Sequence, residues 1–277
     1  MSTYETYEET SRNYDKTRIP VGLEIMLGCL AKSGRPLAEI NLLDAGCGTG
    51  NYSRGMVECV RRIDAVDMNQ DMLAVASRKL KRFRDQGRIT FHHARIDALP
   101  FDNSTFDAVM INQVLHHVDE PGDEDYPGHR RIFREFHRVL RSEGLLVIST
   151  CSQEQLRHGY WYYDLIVEAA EMLRRRFVPL AALRKMLSQC GYKYHGSYVP
   201  IDAILQGESY FDPRGPLKKE WRDGDSSFAL ATRDELDRAC EKIREMDSKG
   251  VLSSYIEAHD KRRKAIGQTT FLMAQRE

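Results

Sequence analysis

Three alternate glycines, Gly46, Gly48 and Gly50, directly follow an apolar run, with Asp44 just ahead of them and Asp67 closing the next apolar run. Without a Cβ, such a loop turns tightly and lets backbone approach a ligand, whose anionic group then meets free N–H groups at a helix N-terminus. A carboxylate at the end of the following strand can accept both hydroxyl hydrogens of a ribose. Together these residues call for a nucleoside-containing ligand, and both a nicotinamide dinucleotide and S-adenosylmethionine carry the adenosine ribose. The glycine spacing separates them. Dinucleotide folds use G-x-G-x-x-G to seat a pyrophosphate, whereas this chain has G-x-G-x-G beside an acidic residue. Asp44 would repel a pyrophosphate but can receive the ammonium of a methionine moiety, directly or through water.

Five blocks in one order carry a more specific signal: Leu-Asp-Ala-Gly-Cys-Gly-Thr-Gly (43–50), Val-Asp-Met-Asn-Gln-Asp-Met-Leu (66–73), Leu-Pro-Phe-Asp-Asn-Ser-Thr-Phe-Asp (99–107), Leu-His-His-Val (115–118) and Arg-Val-Leu-Arg-Ser-Glu-Gly-Leu-Leu (138–146). Over roughly residues 10 to 150 the chain resembles the class I S-adenosylmethionine-dependent methyltransferases, especially the branch of ubiquinone/menaquinone C-methyltransferases. The resemblance implies S-adenosyl-L-methionine as cofactor and S-adenosyl-L-homocysteine as product. It also implies that Asp44 and the loop of Gly46, Cys47, Gly48 and Gly50 hold the methionine end, Asp67 the ribose, and Met68 one adenine face. Ile96 and Asp97 would meet the adenine edge, and Asn112 and Gln113, just past the fourth strand, would border the donor. Relatives often carry an acidic residue where this chain has Arg95, so Asp97 is the expected acceptor for the adenine amino group. The run Ser-Arg-Asn-Tyr-Asp-Lys-Thr-Arg (11–18) looks like the family's helix that folds over the cofactor. Tyr14 and Arg18 would then contact donor or substrate, and the planar fork of Arg18 suits a carboxylate.

Two further groups could do chemistry. His116 and His117 have side chains that titrate near neutral pH. Adjacent residues do not share a helix face, and no thiol or carboxylate partners can be placed beside them, so no metal site is expected. The resemblance puts the pair at the mouth of the donor pocket, with His117 as base or substrate contact, or else packed. The cluster of Tyr160, Trp161, Tyr162 and Tyr163 offers aromatic faces that attract a sulfonium. Tyr160, Trp161 and Tyr163 are therefore candidate acceptor-pocket residues, with core packing of a cap helix as the alternative.

Elements able to position these residues follow from the hydropathy pattern. Short apolar runs at 40–45, 62–66, 89–93, 106–111 and 145–150 alternate with helical periodicity, the pattern of βαβ units. Asn69 caps a helix reaching Phe83. Ile132, Phe133, Phe136, Val139 and Leu140 line one helix face among arginines read as a solvated face, with Gly144 just past its end. Residues 160–176 read as a helix, Pro179 opens another ending at Gly191, and strands follow at 192–199 and 269–275. The late insertion at 200–268 is first punctuated by Gly and Pro. It then carries Thr232 and Glu235 as a capping box ahead of a charged helix. The expectation is an α/β fold, a Rossmann-like, mostly parallel seven-stranded sheet with helices on both faces. Its parts would be an N-terminal helical segment (1–38) over the cofactor, a core (39–199 and 269–277) and an acceptor-side lid (200–268).

Composition bounds the partners. In 277 residues, 41 Lys plus Arg balance 41 Asp plus Glu, so no global field draws in nucleic acid or an anionic membrane. Six cysteines lack CxxC or His-linked spacing, which fits reduced thiols in a cytoplasm. No apolar run is long enough to span a membrane, and the polar, acidic start lacks the pattern of a signal peptide. A small-molecule acceptor is favoured, with the protein a monomer or homodimer. A tRNA-modifying methyltransferase and a non-catalytic adenosylmethionine-binding protein are the competing readings.

Overall fold

Runs of apolar residues that read as continuous, not alternating, demand cover on both faces, and the structure supplies it with a seven-stranded sheet between helices. The computed structural model describes Asp15, residues 18–119 and residues 125–277. In chain order the strands are β1 (Asn41–Ala45), β2 (Arg62–Asp67), β3 (Ile89–His93), β4 (Phe106–Asn112), β5 (Leu140–Thr150), β6 (Tyr192–Tyr198) and β7 (Thr270–Arg276). The helices of the core are α1 (Leu23–Ala31), α2 (Asn51–Met56), α3 (Gln70–Lys79), α4 (Lys81–Asp85), α5 (Pro127–Val139), α6 (Gln153–His158), α7 (Val167–Arg176) and α8 (Leu180–Gln189). Between β6 and β7 lie α9 (Lys219–Arg222), α10 (Ser226–Leu230), α11 (Arg233–Ser248) and α12 (Leu252–Ile266).

The strand order is β3-β2-β1-β4-β5-β7-β6, with β1 to β5 parallel and β7 antiparallel to both neighbours. The chain leaves β1 toward β2 on one side and returns to β4 on the other. A crevice must therefore open at the carboxyl ends of β1 and β4, the place where parallel α/β sheets bind ligands. Alternation along β1 sends Leu43 and Ala45 into the core with Phe133, Phe136 and Leu187, and Leu42 into the opposite core with Met26, Leu30 and Met56. A third apolar cluster joins Trp161, Tyr162 and Leu173 to Trp221, Ile243 and Ile256, binding the late insertion to the segment after β5.

Several boundaries depart from sequence expectation. The helix expected from Asn69 to Phe83 divides at Leu80, whose buried side chain packs where Gly50 comes close. Asn69 Oδ1 accepts from the Met72 N–H, as its capping role requires. Leu140 leaves the α5 stripe and begins β5, and the residues up to Gly144 form an irregularity that shifts the register against β4. Residues 160–176 are a 3₁₀ turn over Trp161–Leu165 followed by α7, because the bulky rings enter the core in different directions. Thr232 caps α11, but Glu235 does not return to complete a box. Its Oε1 accepts instead from the Glu168 and Ala169 N–H groups at the start of α7, tying the insertion to that helix. Nor are all the α5 arginines a solvated face: Arg138 donates to Glu135 and to the carbonyls of Leu99 and Phe101.

Candidate functional site

At the crevice lies a cavity of about 280 Å³, walled by the glycine loop, the ends of β2 and β4, the 115–117 turn, the aromatic segment after β5 and the Asp223–Ser226 stretch. The loop has the shape the glycines promise: Gly46, Gly48 and Gly50 all have positive φ. A Cβ on Gly46 would stand 2.6 Å from Val114, and one on Gly50 would press on Ala76 and Leu80. Gly50 thus works against α3 and does not line the cavity, which corrects its assignment as a ligand contact.

The loop's hydrogen bonding corrects a second expectation. Four of its N–H groups are engaged within the protein and are not held open for an anion: Gly46 and Cys47 donate to Val66 O, Gly50 to Cys47 O, and Gly48 to Asp67 Oδ2 at 2.8 Å. Two carboxylates flank this loop. Asp44 is buried, accepts from Ser53 Oγ at 2.6 Å, and burial raises it to about 7. Asp67 also accepts from the Asn69 N–H at 2.8 Å. Burial raises its pKa and those two N–H groups hold it back. With acid on both sides of the loop, the cleft suits a cationic amine and ribose hydroxyls, and it disfavours a pyrophosphate.

Beyond Asp67, Met68, Ile96 and Asp97 line the same cavity. Asp97 is less open than expected, because both its oxygens accept from Arg95, at 2.8 Å each, with Arg131 3.6 Å away. The replacement noted at position 95 therefore closes onto the residue meant to compensate for it. Asn112 lines the wall with neither Oδ1 nor Nδ2 partnered among the described residues. Gln113 reaches the cavity at φ 54°, and its side-chain Nε2 donates to Ser149 and Thr269.

The N-terminal segment and the insertion meet over the cavity. Asp15 accepts from Thr49 Oγ1 and pairs with Lys79, the Arg18 carbonyl accepts from Asn51, and the Ile19 N–H donates to Leu205 O. Arg18 Nε donates to Gly224 O at 2.6 Å and its Nη2 lies 3.3 Å from Asp225. Arg18 is thus committed to the insertion, not held out for a substrate carboxylate. Tyr14 lies outside the described residues.

A family model described as a methyltransferase domain matches residues 43–148. A demethylmenaquinone methyltransferase of Clavibacter sepedonicus is 31% identical over 163 residues, 57% of this chain and 62% of that protein. The chain thus spans about three fifths of the length of the first curated relatives it matches. A putative methyltransferase from an antibiotic biosynthesis pathway of Anabaena variabilis superposes with a TM-score of 0.69, at 23% identity, covering 93% of this chain and 98% of that one. A geranyl diphosphate C-methyltransferase of Streptomyces coelicolor, solved with S-adenosyl-L-homocysteine, reaches a TM-score of 0.55 at 17% identity, covering 92% and 75%. These two structures share the fold of this chain.

The turn after β4 contributes His116 and His117 to the cavity wall, and Tyr160 and Tyr163 line it from the segment after β5. The two tyrosine rings stack at 4.6 Å, and burial keeps both hydroxyls protonated. Trp161 is not among the wall residues: it is wholly buried, and its indole donates to Tyr210 O at 2.8 Å. Of the aromatic cluster, Trp161 and Tyr162 pack the cap while Tyr160 and Tyr163 line the cavity. Sequence reasoning missed Cys151, Phe177 and Asp225. Only Asp225 left a trace, since its position two residues before Ser227 makes the helix cap seen here, accepting from the Ser227 N–H.

Proposed function

We propose that the chain transfers the methyl group of S-adenosylmethionine to a small-molecule acceptor. The observation that carries this reading is the pair Asp44 and Asp67, at the ends of adjacent strands, flanking a glycine loop four of whose backbone donors are engaged within the protein. The amino-acid tail would lie at Asp44 and the ribose at Asp67, with adenine against Met68 and Ile96. Each placement matches the polarity of the wall.

Methyl transfer from a sulfonium is an in-line displacement on an electrophile already activated by its charge. The protein's work is to hold the acceptor atom about 3 Å behind the methyl carbon, aligned with the leaving sulfur, and to keep water out. The acceptor would enter beside Tyr160, Tyr163 and Phe177, beneath a lid formed by 200–268, with the described part of the N-terminal segment, Asp15 and residues 18–38, over the donor. His117 serves as substrate contact, or as base only where the acceptor holds a proton it will not shed unaided. A balanced net charge supports a small molecule over tRNA, and six unpaired thiols fit work in the cytoplasm. No described helix is long and apolar enough to cross a membrane.

The test is to incubate the purified protein with methyl-labelled S-adenosylmethionine and a panel of acceptors ranging from phenols and quinols to amines and tRNA. Label in a small molecule with release of S-adenosylhomocysteine supports the reading. Label in tRNA alone, abolished by salt, would replace it.

A further inference from the structure

Where the base of the methyl donor would lie, the cavity wall carries a carboxylate that is already matched. Met68, Ala94 and Ile96 supply the apolar surface there, and Asp97 is the acid beside them. Both its oxygens accept from one side chain: Arg95 Nε donates to Oδ1 and Nη2 to Oδ2, at 2.8 Å each. This is the two-bonded pairing in which a planar guanidinium meets a carboxylate. Arg131 adds a second positive charge 3.6 Å from Oδ2. The bonded guanidinium of Arg95 holds the Asp97 carboxyl below its ordinary range, so the acid is ionised and its charge is balanced.

The exocyclic amine of adenine is a neutral hydrogen-bond donor. Against a bare carboxylate it gains a charge-assisted bond. Against Asp97 it must share oxygens with guanidinium N–H groups or displace them, and a neutral N–H does not outcompete a charged fork that makes two bonds. We propose that Arg95 sets the base specificity of the donor site: by occupying Asp97 it withdraws the acceptor from the exocyclic amine, and the base is recognised by its ring faces and not by that amine. The inference rests on the methyl-transfer reading and concerns how the same site reads its donor. Two further observations support it. The side chains of Arg95 and Arg131 are 61% and 60% exposed, so this edge is open to water, where an amine without a protein partner stays hydrated. Asp67, the carboxylate that closes β2, already accepts from the Gly48 and Asn69 N–H groups and is the partner of the ribose, which leaves it no role at the amine.

The experiment measures, by calorimetry, the affinities of S-adenosylhomocysteine and of its deamino analogue, in which hydrogen replaces the exocyclic amine and every ring nitrogen is kept. The proteins are wild type, Arg95→Ala and the double variant Arg95→Ala/Asp97→Ala. Arg95 lies in a largely exposed ion pair, so its removal leaves the fold intact. Wild type should bind the two ligands within about threefold of each other. Arg95→Ala should favour the amine-bearing ligand by about tenfold, the worth of one hydrogen bond to a freed carboxylate. The double variant should lose that preference, because the acceptor has gone with Asp97. A wild-type preference beyond about threefold, an Arg95→Ala ratio no larger than the wild type's, or a double variant that keeps the preference overturns the proposal. Binding of neither ligand to wild type would instead sink the donor reading, since the proposal concerns only the ratio of the two affinities.

Discussion

Arg18 and Asp225 meet 207 positions apart in sequence, the guanidinium Nη2 3.3 Å from the carboxylate, across the mouth of the cavity. The two partners are unequal. Asp225 also accepts from the Tyr162 and Tyr163 hydroxyls and from Ser227, and its side chain is 1% exposed against 18% for Arg18. Removing Arg18 leaves a carboxylate with several donors, while removing Asp225 leaves two buried phenols and a cation without their acceptor. We expect Asp225→Ala to lower unfolding stability by about 3 kcal/mol and Arg18→Ala by about 1 kcal/mol in denaturant titrations. Equal losses would show that the ion pair, not the buried network, dominates.

Asp44 predicts a pH dependence of donor binding. Its carboxyl is raised to about 7 by burial, so in the free protein it is largely protonated below that pH. An ammonium binds the ionised form, hence affinity for S-adenosylhomocysteine should rise as pH increases from 6 to 8. Stability runs the opposite way. The folded state binds the proton more tightly than the unfolded chain, so this group's contribution is present below about 4 and is lost as pH rises to about 7. Calorimetry at several pH values checks the first statement, and the Asp44→Asn variant should flatten the profile.

Gly46 and Gly48 separate strain from collision. Both have positive φ, but a Cβ on Gly48 meets open space while one on Gly46 runs into Val114 at 2.6 Å. Gly48→Ala should cost about 1 kcal/mol from the backbone alone, and Gly46→Ala clearly more, with loss of donor binding. Thermal and chemical unfolding, paired with calorimetry, would read both.

The parallel sheet and the glycine loop between Asp44 and Asp67 were legible because local sequence carries them. Continuous apolar runs need two covered faces, and alternate glycines beside Asp44 have few other uses. What sequence could not show was how partners pair over distance. That the Gly46, Cys47 and Gly48 N–H groups are engaged depends on Val66 O and Asp67, placed by β2. That Arg95 closes on Asp97 is a choice of rotamer, and that Trp161 turns inward while Tyr160 and Tyr163 face the cavity follows from breaking a regular helix into a 3₁₀ turn. The acceptor end is assembled by β4, α7 and an insertion far along the chain, so Phe177 and Asp225 gave no local sign of meeting His116 and Arg18 around one cavity.

The central claim is that the two strand-end carboxylates hold a single nucleoside amino acid, and calorimetry of S-adenosylhomocysteine and of a nicotinamide dinucleotide tests it most directly. Wild type should bind the first and not the second, and Asp67→Ala should weaken that binding by about 2 to 3 kcal/mol, the loss of charge-assisted hydrogen bonds. Uptake of the dinucleotide in preference, or unchanged affinity in Asp67→Ala, would contradict it.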